Sequence, residues 1–87
     1  MKIKYHKRFE KQFKKLLDRD KKMVLQVIEK FIKNPKDKSL RNHSLKGVLL
    51  EKRAISINPD LRIIFEEFDN YTLVVFLDLG KHSRVYK

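Results

Sequence analysis

The hydrophobic pattern of the chain changes near residue 42, and this change limits the folds open to it. Before that point, apolar residues recur at the spacing of amphipathic helices, with lysine and glutamate between them. After Gly47, short segments rich in isoleucine, valine, leucine and phenylalanine are separated by turn sequences, which is typical of strands. Helices followed by strands, rather than alternating with them, predict an α+β fold.

Two helices are predicted in the first half. The apolar stripe of the first helix consists of Phe9, Phe13, Leu16 and Leu17. Asp18-Arg19-Asp20 interrupts that pattern, and Asp20 is a favourable N-cap for the second helix. The apolar stripe of the second helix consists of Met23, Val24, Val27, Ile28, Phe31 and Ile32. Asn34-Pro35 ends it, so the two helices form a hairpin whose apolar faces must cover another layer.

Four strands are predicted around this hairpin. Alternation in Lys2 to Tyr5 predicts a short edge strand, residues 36–41 predict a loop, and regular structure resumes near Leu45. Asn58-Pro59-Asp60 and Asp69-Asn70 are turn signals that separate three antiparallel strands. These strands are expected at about Leu50 to Ile57, Leu61 to Phe68 and Tyr71 to Leu79. They form a meander that the helix hairpin covers on one side.

The register of the meander follows if Pro59-Asp60 and Asp69-Asn70 are both two-residue turns. The facing pairs are then Ile57 with Arg62, Arg53 with Glu66, and Leu61 with Asp78. This register puts Arg53 and Arg62 on one face, and Ser56 and Asp78 on the other. Both faces also carry apolar residues, so the pattern leaves open which one the helices cover. A bulge would reverse the answer for part of the sheet.

Length and composition exclude several classes of protein. With 87 residues and no glycine-rich or serine-rich linker, residues 1–87 are expected to form a single domain. The absence of cysteine excludes disulfide scaffolds, thiol nucleophiles and cysteine zinc sites. The N-terminus has no signal-peptide core, and the longest apolar run, Leu73 to Leu77, is too short to span a bilayer. We therefore expect a soluble cytoplasmic protein with no membrane partner.

The charge distribution predicts a polyanionic partner. Lysine and arginine number 22 against 11 acidic residues, for a net charge of +11. Residues 1–42 carry 15 basic and 5 acidic side chains, so nearly all the excess lies in the helical half. Such a positive potential attracts nucleic acid. The alternative is that the charge serves only to keep the surface soluble.

The second half resembles a known family. The segments that carry the resemblance are H-S-L-K-G at 43–47, K-R-A-I-S-I-N-P-D-L-R-I-I-F at 52–65 and D-L-G-K-H-S-R-V-Y at 78–86. Together they resemble the RelE/ParE toxin superfamily, and within it the YafQ-like and RelE-like branches. The resemblance implies an edge strand, a helix hairpin and a three-stranded meander over the whole chain. It also implies a toxin of a type II toxin-antitoxin system that cleaves mRNA without a metal or cofactor.

The resemblance also suggests site residues. It implies that His43 and His82 lie in the RNA-cleaving site of the YafQ-like branch, with Asp60 at the strand turn and Tyr86 as the C-terminal aromatic. From the RelE-like branch, Arg53 and Arg62 match basic residues that contact the scissile phosphate. The sequence departs from the YafQ-like pattern at three positions. It has Ser56 in place of a further histidine, Asp78 in place of an arginine, and Leu61 in place of a tryptophan.

Metal-independent RNA cleavage requires a base for the 2′-hydroxyl, cations for the phosphorane and an acid for the leaving 5′-oxygen. The expected base is His43 or Asp60, and the expected acid is His82, because histidine titrates near neutrality. Arg53 and Arg62 would clamp the phosphate. Tyr86 would stack on a base or donate a hydrogen bond, and Lys46, Lys52 and Arg84 would hold the neighbouring backbone.

Each of these residues has a structural alternative. His43 could instead form a backbone hydrogen bond at a helix end or in a loop, and His82 could have a structural role. Arg53 could pair with Glu66 across the strands, and Arg62 could form an ion pair with Asp60 at the turn. Asp60 could serve only to form the turn, and Tyr86 could cover the core. Other chemistries have no support, because the histidines lack zinc spacing and there is neither a glycine-rich phosphate loop nor a nucleophile elbow.

Three functions remain open. The first is an mRNA endonuclease acting on translating ribosomes. The second is a ParE-like toxin that inhibits DNA gyrase by binding, and the third is an inactive member that only binds nucleic acid or antitoxin. In each case the basic chain predicts an acidic antitoxin that wraps it. The oligomeric state is not predicted.

Overall fold

A computed structural model describes residues 1–49 and 51–81, apart from the side chain of Val48. Two helices precede most of a five-stranded sheet, which confirms the predicted α+β fold. The helices are α1 (Lys7–Lys14) and α2 (Asp18–Lys33), and the strands are β1 (Lys2–Tyr5), β2 (His43–Ser44), β3 (Arg53–Ser56), β4 (Leu61–Phe68) and β5 (Leu73–Lys81). Short 3₁₀ helices span Lys38–Leu40 and Gly47–Leu49.

The sheet has the strand order β1-β5-β4-β3-β2. β1 pairs in parallel with β5 and lies at one edge, as its short alternating sequence predicts. β3, β4 and β5 form the predicted antiparallel meander. The pattern did not predict β2, a two-residue strand that pairs with β3 and forms the opposite edge.

Both helices pack against one face of the sheet, which we call the first face. Phe9 of α1 and Phe31 of α2 are buried there. The ring of Phe31 makes edge contacts with Phe65 and Phe76, at centroid distances of 5.1 and 5.7 Å. These large buried rings supply much of the apolar area that holds a domain of this size together. No helix in the described part of the chain is long and apolar enough to cross a membrane.

The connection between the helices differs from the prediction. α1 ends at Lys14, and Leu17 is the N-cap of α2 without a side-chain capping bond. Asp20 therefore lies in the first turn of α2 rather than at its N-cap, where a carboxylate still interacts favourably with the helix dipole. Leu17 is 66% exposed and Ile32 is 50% exposed, so both fall outside the buried stripes predicted for them.

The predicted register is wrong because both turns are longer than two residues. Residues 58–60 form the first turn, since the backbone N–H of Ile57 donates to the carbonyl of Leu61. The second turn, residues 69–72, contains three consecutive residues with positive φ. A bulge between Ile64 and Phe65 adds a further shift. The observed pairs are Ser56 with Arg62, Arg53 with Phe65, and Leu61 with Lys81.

These shifts rearrange the two faces of the sheet. Ser56 and Arg62 share a face because they pair directly. Arg53 belongs to the first face, because it pairs with Phe65 of the core below the helices. The prediction that Arg53 and Arg62 share a face, opposite Ser56 and Asp78, is therefore wrong.

Candidate functional site

The face that points away from α1 and α2, here called the second face, carries three of the six described candidate residues, His43, Lys52 and Arg62. One cross-strand row contains His43, Ala54, Ile64 and Asp78. The neighbouring row contains Ser56, Arg62 and Gly80. Residues from four strands are thus brought together. Ser56 and Asp78, which differ from the YafQ-like pattern, share these two rows with the predicted site residues His43 and Arg62.

A small apolar centre supports the second face. Ala54 and Ile64 are buried there, and Leu45 and Leu77 pack against them. The bulge explains how Leu77 reaches this side. Phe65 pairs with Phe76 and Ile64 with Asp78, so Leu77 is the extra residue in β5. Leu77 and Asp78 consequently face the same way, whereas Phe76 and Leu79 on either side of them belong to the first-face core.

The turn before β4 holds the Arg62 side chain. Arg62 Nη1 donates to the backbone carbonyl oxygens of Asn58 and Leu61. Ser56 Oγ also donates to the Asn58 carbonyl, at 3.2 Å. No carboxylate of the described residues lies within 4.0 Å of the guanidinium, so the alternative ion pair between Arg62 and Asp60 is not formed. The half-buried Arg62 is thus oriented by carbonyl groups that leave its charge unneutralised.

Asn58, rather than Asp60, shapes this turn. Asn58 Oδ1 accepts from the backbone N–H groups of Asp60 and Leu61, both at 2.9 Å. The carboxylate of Asp60 is exposed and makes no hydrogen bond to the described residues. Asparagine at the start of a turn favours hydrogen bonds from its side chain to the backbone. The predicted turn sequence includes Asn58, but these hydrogen bonds of its side chain were not predicted.

His43 is exposed on β2 and hydrogen-bonds to the backbone, as one structural alternative predicted. Its Nδ1 lies 2.7 Å from the carbonyl oxygen of Arg41. A carbonyl can only accept, so Nδ1 carries the proton and the lone pair of the neutral ring is on Nε2.

Arg53 is not part of this group. Its Nε donates to Asn42 Oδ1 at 2.8 Å, and Asn42 Nδ2 donates to the hydroxyl of Tyr71 and the carbonyl of Pro35. The predicted pair of Arg53 with Glu66 is wrong, because Glu66 pairs with Lys52 instead, at 4.0 Å. A phosphate on the second face therefore cannot be clamped by Arg53 and Arg62 together. Asn42, which orients Arg53, was missed because nothing in its sequence context sets it apart.

Two of the predicted lysines, Lys46 and Lys52, lie at or near this edge of the sheet. Lys52 precedes Arg53 and its ammonium faces Glu66, which places it on the second face. Lys46 is exposed just after β2. The other predicted site residues, His82, Arg84 and Tyr86, lie outside the described residues. Within 1–49 and 51–81, no group of three or more His, Asp or Glu side chains is arranged to hold a metal ion.

Comparison with known proteins identifies relatives of the whole chain. The family model described as "Bacterial toxin of type II toxin-antitoxin system, YafQ" matches residues 1–87. No curated protein matches this sequence.

Several solved structures share the fold. YafQ from Escherichia coli BL21(DE3) is 22% identical over 98% of this chain and 97% of its own, with a TM-score of 0.82. A metal-bound toxin from Helicobacter pylori is 26% identical over 98% of both chains, with a TM-score of 0.79. The archaeal RelE-RelB complex from Pyrococcus horikoshii contains a chain that is 19% identical over 95% of this one and 96% of its own, with a TM-score of 0.76.

Proposed function

Because the chain belongs to the YafQ family of type II toxin-antitoxin toxins, we propose that it is a metal-independent endoribonuclease that cleaves mRNA. The observation that carries this proposal is the second face, where the register gathers His43, Arg62 and the end of β5 around one apolar centre. A scissile phosphodiester bound there would meet a cation and a histidine at once. Cleavage without a metal needs positive charge and a base, which a cation and a histidine can supply.

The first step of the reaction removes the proton of the 2′-hydroxyl, so that its oxygen can attack the adjacent phosphorus. His43 is one candidate base for this step, since it is exposed on β2 at the edge of the second face. The exposed carboxylate of Asp60 is the other candidate base. His43 lies on β2, two strands away from Arg62, and Asp60 lies at the turn where β4 begins.

The second requirement is positive charge for the pentavalent phosphorane. Arg62 meets it best, because its guanidinium is held by two carbonyl oxygens and has no described carboxylate partner. Such a preorganised donor can be worth roughly 10²–10³-fold in rate. Lys52, which forms an ion pair with Glu66, replaces Arg53 as the second cation on this face. We assign His82 as the acid that gives its proton to the leaving 5′-oxygen, and Tyr86 to stacking on a base or donating a hydrogen bond.

The same face is the surface that an antitoxin must block. Solved relatives include the RelE-RelB complex of Pyrococcus horikoshii and the RelBE2 toxin-antitoxin complex of Mycobacterium tuberculosis. By analogy, an acidic antitoxin covers this chain, whose net charge of +11 favours such a partner electrostatically. Occupying the second face would exclude RNA.

The proposal is tested by adding the purified chain to a cell-free translation reaction and mapping cuts in a reporter mRNA by primer extension. We expect cuts in phase with the codons. Arg62→Gln should reduce cutting by about 10²-fold or more, as expected for loss of one charged donor to the transition state. Arg19→Gln is the matched control, because Arg19 is largely exposed at the start of α2 and its one ion pair within the described residues is with Asp20.

Intact mRNA in the presence of the wild-type chain would contradict the proposal. A test of supercoiling by purified DNA gyrase would then identify or exclude the ParE-like mode of action. Equal losses in Arg62→Gln and Arg19→Gln would instead show that cutting depends on overall charge rather than on the second face.

A further inference from the structure

A cavity at the β2–β3 edge of the sheet is lined entirely by charged and amide side chains. We call it the cationic cavity, and its volume is about 500 Å³. Its lining residues are Lys36, Asp37, Lys38, Arg41, Asn42 and Arg53. Four of the six are cations. It is separate from the residues of the second face that hold the proposed reaction.

The Arg53 side chain is held rigidly at this cavity. Asn42 Nδ2 donates to the Pro35 carbonyl at 2.8 Å and to the Tyr71 hydroxyl at 3.0 Å, which fixes the amide so that Oδ1 receives Arg53 Nε. The terminal nitrogens of the half-buried guanidinium make no hydrogen bond to the described residues, and no carboxylate of those residues lies within 4.0 Å. A fixed guanidinium with unused donors favours binding of an oxyanion.

Asp37 does not neutralise the cavity through an ion pair. Its carboxylate accepts from the hydroxyl and the backbone N–H of Ser39, at 2.7 and 2.9 Å, and these bonds lower the pKa of Asp37. No cation of the cavity lies within ion-pair distance of it. With four cations and one carboxylate, the lining residues have a net charge of +3.

We propose that the cationic cavity binds a backbone phosphate of the RNA strand, at a nucleotide other than the one that is cleaved. This inference rests on the proposed function for the identity of the ligand. The cavity adjoins the second face at the edge strand β2. Arg53, which lines the cavity, pairs with Ser44, and the next pair along the strands, Ala54 with His43, faces the second side of the sheet. A strand that crosses the β2–β3 edge would contact both sites.

The chemistry of the lining favours RNA over an acidic protein segment. Protein interfaces are usually anchored by aromatic or aliphatic side chains in a desolvated pocket. The cationic cavity contributes none, whereas four cations around a polar depression suit a phosphodiester, which is recognised through charge and hydrogen bonds. The ligand is thus a phosphate of single-stranded RNA.

The test compares two triple variants that remove the same residue types. The cavity variant is Lys36→Gln/Lys38→Gln/Arg41→Gln, and the control is Lys15→Gln/Lys11→Gln/Arg8→Gln. All six side chains are exposed, so neither variant should unfold the chain. Affinity for a 2′-O-methyl single-stranded RNA, which cannot be cleaved, is measured by fluorescence anisotropy over a series of NaCl concentrations.

We expect the cavity variant to bind RNA about tenfold more weakly and the control less than about threefold. The slope of log affinity against log salt falls by about 0.7 for each phosphate that is no longer neutralised, so loss of the one proposed phosphate contact should lower it by about 0.7 in the cavity variant alone. Equal effects in both variants, or no binding by the wild type, would overturn the proposal. A cavity variant that loses affinity for an acidic antitoxin but not for RNA would also overturn it.

This experiment does not depend on catalysis. A wild-type chain that binds RNA through the cavity but leaves mRNA intact would disprove the proposed function and keep the cavity. Cleavage of mRNA by the wild-type chain, together with unaltered RNA binding by the cavity variant, would support the proposed function and disprove the role of the cavity.

Discussion

The first face of the sheet is closed by α1 and α2, whereas the second face carries polar side chains around a small apolar centre. Below the helices, Phe31, Phe65 and Phe76 are fully buried and touch one another. On the second face the buried centre consists of Ala54 and Ile64. Most of the buried apolar contacts therefore lie on one side of the sheet, and the proposed chemistry lies on the other.

The two strand arginines show the same division. Arg53, at the edge of the first face, is bonded to a side-chain amide, while Arg62, on the second face, is bonded to the carbonyls of a turn. Neither has a described carboxylate within 4.0 Å. Because they lie on opposite faces, we expect their substitutions to affect different measurable properties.

The largest effect should follow from Phe65→Ala. Phe65 is fully buried in the first-face core, and truncating a buried phenylalanine costs about 3–5 kcal/mol. This is a large share of the stability of a small domain. Leu77→Ala, on the second face, should cost only about 1 kcal/mol, because a half-buried side chain leaves a smaller cavity. Urea denaturation followed by circular dichroism measures both, and similar losses would show that the two faces do not differ in stability.

Arg53→Ala should separate stability and binding from chemistry. It removes a hydrogen bond from a charged donor and leaves Asn42 Oδ1 without its partner, at a cost of about 1.5 kcal/mol. RNA affinity should also fall, yet the cleavage rate at saturating RNA should stay within about threefold of wild type, since Arg53 is not on the second face. A rate reduced as strongly as in Arg62→Gln would return Arg53 to the catalytic group.

Ser56→His should show whether the second face can gain activity that the first face cannot. Ser56 pairs with Arg62 on the second face, at the position where YafQ-like toxins carry a further histidine. We expect the single-turnover cleavage rate to rise about tenfold, which is below the roughly 10²–10⁴-fold contributed by a well-positioned general base. Ser44→His is the control, since Ser44 pairs with Arg53 and shares the orientation of the first face. A gain in the control, or none in Ser56→His, would contradict the assignment.

The sequence pattern was sufficient for the fold but not for the register. Helical spacing in α1 and α2 and turn signals around β4 predict the order of the two helices and of β1, β3, β4 and β5 correctly, whereas β2 was not predicted. The run Ile63-Ile64-Phe65 is buried throughout, so it has no alternation from which to read the two faces. The remaining error comes from turn length, because Asn58 Oδ1 accepts two backbone N–H groups and closes a three-residue turn.

The candidate site was predicted in part for the same reason. His43, Arg62 and Asp60 follow from the family resemblance and lie on or beside the second face. The error of one residue at the β3–β4 turn moved Arg53 to the wrong side, since successive side chains on a strand point to opposite faces. The bulge that brings Leu77 and Asp78 to one side has no signal in the hydrophobic pattern.

RNA is expected to bind the face of the sheet that the helices do not cover. Backbone amide chemical shifts of the isotopically labelled chain, titrated with 2′-O-methyl RNA, test this binding mode without requiring cleavage. We predict that shift changes concentrate at Lys52, Ser56 and Arg62, with a second group at residues 36–41. Changes confined to the outer surfaces of α1 and α2, with none on the second face, would contradict this binding mode.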